Sequence, residues 1–268
     1  MKKLTRLIRP PFNKIRWMKR RALLAGLASL ILAAFFALGL LFKPKIFHEE
    51  KRDKMTMEEK LKLPEPAYKS SVSIEEAILL RRSIRDYKPE PITLNQLSQI
   101  LWAAQGITER SKGFRSAPSA GATYPLEIYV VIKEGGVEEL PAGIYHYLPN
   151  SHEIELTKTG DYSRALMKAA LDQRWVGEAA LNLVINAVYK RTTRIYGDRG
   201  MRYVHMEVGH VGQNVYLQCI SLNLACVVIG AFYDEEVKQI VSGVGDPLYI
   251  IPIGVKEKPW ITSSASGP

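Results

Sequence analysis

The chain has 268 residues, of which 47% are apolar and 24% charged, the composition of a packed protein rather than a disordered one. Its two Cys are too few for a disulfide framework, a zinc ribbon or an iron–sulfur cluster. The net charge of +10 sits at one end: residues 1–54 hold 14 of the 37 basic and 3 of the 27 acidic groups, which leaves residues 55–268 with 23 and 24, so nucleic acid is excluded as a partner of the folded part.

Residues 1–21 form a basic N-terminus with nine Lys or Arg. Residues 22–42 (ALLAGLASLILAAFFALGLLF) carry no charge. As a helix they would run about 31 Å, enough to cross a bilayer's hydrocarbon core. The spacing predicts a single-pass transmembrane signal anchor. The N-terminal cations place residues 1–21 in the cytoplasm and the bulk of the chain, the catalytic domain included, on the outer face. A cleaved export signal is the second reading, since Arg20-Arg21 resembles a twin-arginine signal. A buried core helix is the third, but an all-round apolar helix at the chain end has no core to enter. Residues 43–72, with charge runs and Pro44, Pro64 and Pro66, are a linker running over the surface, with a short amphipathic helix at 54–62.

The folded domain spans residues 73–258. Ser73 and Glu76 make a capping box that starts a helix at 74–82, and Thr93 and Gln96 repeat the device ahead of the stripe Leu94, Leu97, Ile100, Leu101 and Ala104. Residues 106–125 are a Gly, Ser and Pro-rich loop. Residues 126–133 form a buried strand, 143–148 and 152–156 a hairpin around Pro149-Asn150, and Asp161 caps a helix to about Asp172. Residues 181–189 are another strand. Residues 199–224 are the longest helix, with Val204, Val208, Val211, Val215, Cys219 and Leu222 on one face. Residues 225–232 are a strand, 234–241 a helix, 248–255 the last strand, and 259–268 a flexible tail. Few strands and several early helices favour an α+β sandwich over a doubly wound sheet.

The chemistry is narrowed by elimination. The chain has no Gly-Lys-Ser/Thr phosphate loop, no three-glycine dinucleotide fingerprint and no Gly-x-Ser-x-Gly elbow. His205 and His210 are five apart, so with Glu207 between them they make no zincin motif, and no metal site is expected. Four places remain that suit an anionic cofactor with a planar ring. Arg81, Arg82, Ser83 and Arg85 put three guanidiniums and a hydroxyl within five residues, able to fork around a phosphate; Arg81 and Arg82 read equally well as complements to a helix dipole. Pro118, Ser119, Ala120 and Gly121 lie in a small-residue stretch that lets a backbone approach a ligand, or a plain surface loop. Ile229 and Gly230 close a strand and could face a flat ring, or merely turn. Lys256 follows the last strand, as a phosphate cation or as part of a solvated tail.

Taken together these residues resemble the nitroreductase superfamily of flavin enzymes, and within it the SagB-type dehydrogenase branch. The matching stretches are SIEEAILLRRSIRDYKPEPITLNQLSQILWAAQG, SAPSAGATYPLEIYVVI, YGDRGMRYVHMEVGHVGQNVYLQ, VVIGAFYDEEV and PLYIIPIGV. The resemblance implies an α+β fold with a central antiparallel sheet flanked by helices, an intertwined homodimer, and FMN at its interface. It implies that Arg81, Arg82, Ser83 and Arg85 hold the phosphate and ribityl chain with Lys256 as a further cation. It also implies that Pro118, Ser119, Ala120 and Gly121 approach the flavin from the other subunit, and that Ile229 and Gly230 lie along its ring.

The implied function is a membrane-anchored FMN-dependent oxidoreductase that passes hydride to or from a small organic substrate, with NAD(P)H as a possible donor. Azoline-oxidising members carry a Lys-Tyr pair before the long helix. Here it reads Ile195-Tyr196, which tells against azoline (thiazoline or oxazoline) dehydrogenation in a modified-peptide pathway and leaves Tyr196 as a candidate acid or substrate contact. The non-enzymatic alternative is a flavin-binding interaction module.

Overall fold

The computed structural model describes residues 60–258, within a compact unit that spans residues 52–268. The expected basic N-terminus, the transmembrane helix at 22–42, the first part of the linker and the tail at 259–268 lie outside the described residues. Among the described residues no helix is long and apolar enough to cross a membrane.

The chain opens with β1 (Lys60–Lys62) and α1 (Ile74–Leu80), then β2 (Tyr87–Lys88), α2 (Leu94–Gln105), the small strands β3 (Ile107–Glu109) and β4 (Phe114–Arg115), and a 3-10 turn at Ala120–Ala122. There follow β5 (Leu126–Ile132), β6 (Gly143–Leu148), β7 (Glu153–Thr159), α3 (Ser163–Ala169), α4 (Arg174–Glu178) and β8 (Leu181–Ala187). The last elements are α5 (Lys190–Tyr196), α6 (Arg199–Ser221), β9 (Leu224–Cys226), α7 (Asp234–Val241) and β10 (Asp246–Lys256). Eight strands make one antiparallel sheet in the order β1-β7-β6-β5-β8-β10-β2, with β9 also on β10. This is the expected α+β architecture.

Alternation along the central strands divides the core between two faces. Leu126, Ile128, Val130 and Ile132 of β5 and Leu181, Leu183 and Ile185 of β8 meet α2 and α6 on one face. Tyr129, Val131, Val184 and Ile250 meet α3, α4 and α7 on the other. The α2 stripe is as expected, with Leu97, Ile100, Leu101 and Ala104 at 0% exposure. The α6 stripe is buried from Val204 to Cys219.

Several boundaries differ from the sequence reading, each for a local reason. Lys60–Lys62 is a strand where the amphipathic pattern suggested helix, because it pairs with β7. The linker from that point is part of the domain: Leu63 donates to the His152 carbonyl, and Gln99 exchanges hydrogen bonds with both backbone groups of Ala67. The 106–125 loop contains the β3–β4 hairpin. The strand expected over 225–232 stops at Cys226, because the Val228 amide donates to the Tyr216 hydroxyl instead of to a strand. Pairing resumes only at Ile229, which exchanges both backbone bonds with Ile250. Asp161 sits two residues before Ser163, accepts from its amide, and ties the helix start to Glu134. The short helices α4 and α5 have no counterpart in the reading.

Candidate functional site

The helix α1 ends at Leu80, and Arg81 leaves it in an extended direction (φ −53°, ψ 120°). The arm that follows is fastened at Ile84, whose amide donates to the Cys226 carbonyl at 3.0 Å. The guanidinium of Arg81 lies over the Tyr216 ring (5.2 Å) and that of Arg85 over the Trp175 ring (5.2 Å). Ser83 shares a 2.8 Å hydrogen bond with the Tyr216 hydroxyl, which also accepts from Val228. So Tyr216 of α6 couples the arm to the strand end at 228–230. Arg82 differs: its Nη1 donates to the carbonyls of Leu79 (3.0 Å) and Arg81 (2.8 Å), closing the C-terminal end of α1. The helix-end reading therefore describes Arg82, and Arg81 and Arg85 are left aimed elsewhere.

Three further expected residues are Gly230, Ile229 and Lys256. Gly230 is exposed, and a Cβ there would meet only the Tyr249 ring at an ordinary 3.7 Å. Packing therefore does not demand glycine at 230; the bare backbone faces outward instead. Ile229 is buried and belongs to the core, held by Ile250 through both backbone groups. Lys256 pairs in register with Tyr87, one residue beyond Asp86, and it is 8% exposed, not part of a solvated tail. Burial pulls its ammonium below the ordinary lysine range.

A second cluster forms around residues 118–124. Gly121 has φ +58°, a conformation that favours glycine, and a Cβ there would lie 2.6 Å from the Tyr196 hydroxyl and push that ring end aside. Ala122 (φ +50°) and Tyr124 (φ +42°) also sit in the left-handed region. The turn is held by several bonds. Ser119 Oγ accepts from the Tyr124 amide (2.9 Å), Thr123 and Thr192 share their hydroxyls (2.8 Å), and Arg191 donates to the Tyr124 carbonyl (3.1 Å). Arg191 is itself fixed by Glu127, which also takes His146 Nε2 at 2.7 Å. Tyr196 is 37% exposed with its ring edge-on to Tyr203, and Ile195 beside it is 56% exposed.

The sequence reading passed over Glu207 as a residue between two histidines. It is 3% exposed, and burial pushes its carboxyl up to about 7, against a 3.5 Å hydrogen bond from Gln105 Nε2 and the nearby charge of Arg115. The signal was available: Glu207 falls three after Val204 in the buried stripe of α6, where a carboxyl has no solvent to face. His205 is exposed and shares a 2.7 Å hydrogen bond with Tyr189; His210 is exposed.

Both clusters hang on α6, but Tyr216 and Glu207 are nine residues apart, about 13 Å along the axis. The two clusters are therefore separate along the helix. Among the described residues Arg81, Arg82 and Arg85 form no ion pair with a carboxylate, and Trp175 Nε1 beneath Arg85 is buried without a hydrogen-bond partner. Aimed cations, an orphan donor and an open glycine backbone fit a phosphate-bearing planar group such as FMN.

The model of the Nitroreductase family matches residues 78–255. The "Putative nitroreductase" of Methanocaldococcus jannaschii is 50% identical over 186 residues, which are 69% of this chain and 92% of that protein. The microcin B17-processing protein McbC of Escherichia coli is 26% identical over 155 residues, covering 56% of this chain and 57% of that one. Among solved structures, a nitroreductase-type protein from Ralstonia eutropha superposes with a TM-score of 0.64 at 29% identity, covering 74% of this chain and 90% of its own.

Proposed function

Because the chain belongs to the nitroreductase family, whose members are generally oxidoreductases, we propose that it is a membrane-anchored, FMN-dependent oxidoreductase that passes hydride to or from a small organic substrate. The observation that supports the reading is the convergence of the arm carrying Arg81, Ser83 and Arg85 on residues 226–228 through Tyr216 and the Ile84–Cys226 bond, with Arg81 and Arg85 making no ion pair with a carboxylate among the described residues. FMN, when bound, supplies the two-electron chemistry at its ring. Arg81, Ser83 and Arg85 would hold its phosphate and ribityl chain, with Lys256 as a further cation. Gly230 would let the backbone approach the ring, and residues 118–121 with Tyr196 would come from the other subunit of a homodimer and exclude water. The uncharged run at 22–42 supports the anchor. NAD(P)H is the electron donor to try first.

The full chain purified in detergent should be yellow, and denaturation should release a flavin that chromatographs as FMN. Replacing both Arg81 and Arg85 by Leu should weaken FMN binding by at least about tenfold, since charged hydrogen bonds to phosphate contribute roughly 1.5–3 kcal/mol each. Colourless protein that takes up no added FMN overturns the reading. A second reading, dehydrogenation of thiazoline or oxazoline peptides, draws support from the similarity to a microcin-processing protein and from Tyr196. It requires turnover of an azoline peptide by the chain despite Ile195; reduction of nitroaromatics or quinones without such turnover removes it.

A further inference from the structure

His152, in the turn between β6 and β7, grips the segment 60–68 at two points and has no part in the flavin reading. Its carbonyl accepts from the Leu63 amide at 3.0 Å, and its ring Nε2 lies 3.1 Å from the Pro64 carbonyl. The same Nε2 is 2.8 Å from Ser98 Oγ of α2, and Ser98 Oγ donates to the Pro64 carbonyl at 2.5 Å. The other ring nitrogen, Nδ1, is 2.9 Å from the Tyr147 hydroxyl of β6. Ser98 and Tyr147 are each 1% exposed. These contacts decide the tautomer. A carbonyl only accepts, so Nε2 carries the hydrogen, and the Tyr147 hydroxyl donates to a bare Nδ1. Every group in the cluster is satisfied with the imidazole neutral. A proton on Nδ1 would set a donor against Tyr147, whose hydroxyl has no other acceptor to turn to among the described residues.

Elsewhere the segment is lightly held. β1 pairs with β7 over three residues at the sheet edge, Leu63 is buried, and Gln99 holds the backbone of Ala67. Glu65, Ala67 and Tyr68 then wall a groove beside Trp102 and Leu217, with the Tyr68 ring edge-on to Trp102 at 5.6 Å. We propose that residues 60–68 are a strap latched by His152: a neutral imidazole keeps the strap closed on α2 and the β6–β7 turn, and protonation of the ring releases it and opens the groove that it walls.

Of the charged groups among the described residues, Lys62 and Glu65 bear on His152, the first opposing its protonation and the second favouring it; α2 and β6 face it with the neutral Ser98 and Tyr147. Lys62 also donates to the Ser151 carbonyl next to the ring. Burial is the largest influence and pulls the imidazole below the ordinary histidine range. Below about pH 6.5, therefore, the released ring takes up a proton that the latched ring refuses, and the closed strap loses stability as pH falls.

The test is hydrogen–deuterium exchange of the full chain in detergent from pH 8 to pH 5, read by mass spectrometry on peptides covering 60–68 and corrected for the intrinsic pH dependence of exchange. Protection of the strap should hold steady above about pH 6.5 and fall by up to about tenfold per pH unit below it, one proton being linked to release, while β5 and β8 stay protected. His152→Asn tolerates the left-handed backbone at this position (φ +53°) and does not titrate, so its strap protection should not change with pH. Tyr147→Phe removes the donor that favours the neutral ring, so its acid response should begin at a higher pH than in wild type. Wild-type strap protection that is constant from pH 8 to pH 5 overturns the proposal, as does an acid response that survives in His152→Asn. Should His152→Asn not fold, an onset in Tyr147→Phe at the wild-type pH overturns it. Protection lost together in the strap, β5 and β8 also overturns it, because the response would then be unfolding of the domain.

Discussion

Arg81 and Arg82 are adjacent in the chain, yet their guanidiniums have different partners. Arg82 spends its donors on the carbonyls of Leu79 and Arg81 at the end of α1, while the Arg81 guanidinium lies over the Tyr216 ring. Arg82→Ala should therefore lower the unfolding free energy by about 1 kcal/mol or less and leave FMN affinity within about twofold, and Arg81→Ala should do the reverse; equal losses of affinity would refute the division. No spacing rule separates two adjacent arginines, so this assignment became legible only when the helix end was seen. Glu207 makes a second case at this scale. Its carboxyl is pushed up to about 7, so between the ordinary carboxylate range and pH 7 the folded chain holds a proton that the unfolded chain releases. Stability contributed by this group accordingly falls as pH rises through that window and stays reduced above it. Glu207→Gln removes the titration. Its stability relative to wild type should rise from pH 5 to pH 8 by up to about 3 kcal/mol, measured as the difference in thermal unfolding of the two chains in detergent. A difference that does not change with pH would mean that the carboxyl titrates normally. A site that favours function by burying a charge loses stability for it, and the sign of this difference tests that directly.

The elements divide by how much of their stability is local. Periodicity suffices for α2 and α6, because an apolar stripe on a long helix has only one way to be buried, and apolar runs suffice for β5, β8 and β10 in the sheet centre. The Thr93 capping box is complete, with Thr93 Oγ1 accepting from Gln96 N and Gln96 Oε1 accepting from Thr93 N, while Ser73 accepts from Glu76 N with no return bond given by Glu76. Thr93→Ala should cost about 1 kcal/mol in urea unfolding and Ser73→Ala less; the opposite order would show that α1 depends on its cap more than α2 does. What the sequence did not disclose is short and held from outside. The α5 segment KRTTRIY buries only Thr192 and has no stripe; it is positioned by the Thr123–Thr192 and Arg191–Tyr124 bonds to a loop some 70 residues earlier. The strand at 225–232 looked continuous because its residues are apolar, and it is broken by a tyrosine hydroxyl from α6. Pattern reading sees side-chain polarity along the chain and is blind to a hydrogen bond that arrives from another element.

At the scale of the whole molecule, the proposal that a second copy completes the site can be set beside the apolar residues left on the surface. Ile74, Ile78 and Leu79 of α1 are 56%, 58% and 68% exposed, and Ile195, Tyr196, Met201 and Met206 are uncovered near α5 and α6. Ile74 and Ala77 of α1 border a groove of about 810 Å³ lined by Tyr68, Trp102, Leu217 and Leu222, with Ile78 and Leu79 outside it. Exposed apolar area of this kind, next to a site that one chain leaves open, is what a second copy would cover. The sequence names residues of both clusters but gives no distance between them; the structure sets Tyr216 and Glu207 nine residues apart on α6, about 13 Å along its axis. Ile78→Asp places a charge in that apolar face without touching a proposed flavin contact. The variant should sediment in detergent at the mass of one chain, against two for wild type, and should lose FMN even though Arg81, Ser83 and Arg85 are intact, because residues 118–121 would no longer be supplied from the other side. A monomer that keeps its FMN would show that one chain closes the site by itself, and would remove the dimer from the mechanism. A dimer that persists with FMN bound would move the interface away from α1 and leave the groove beside it unexplained.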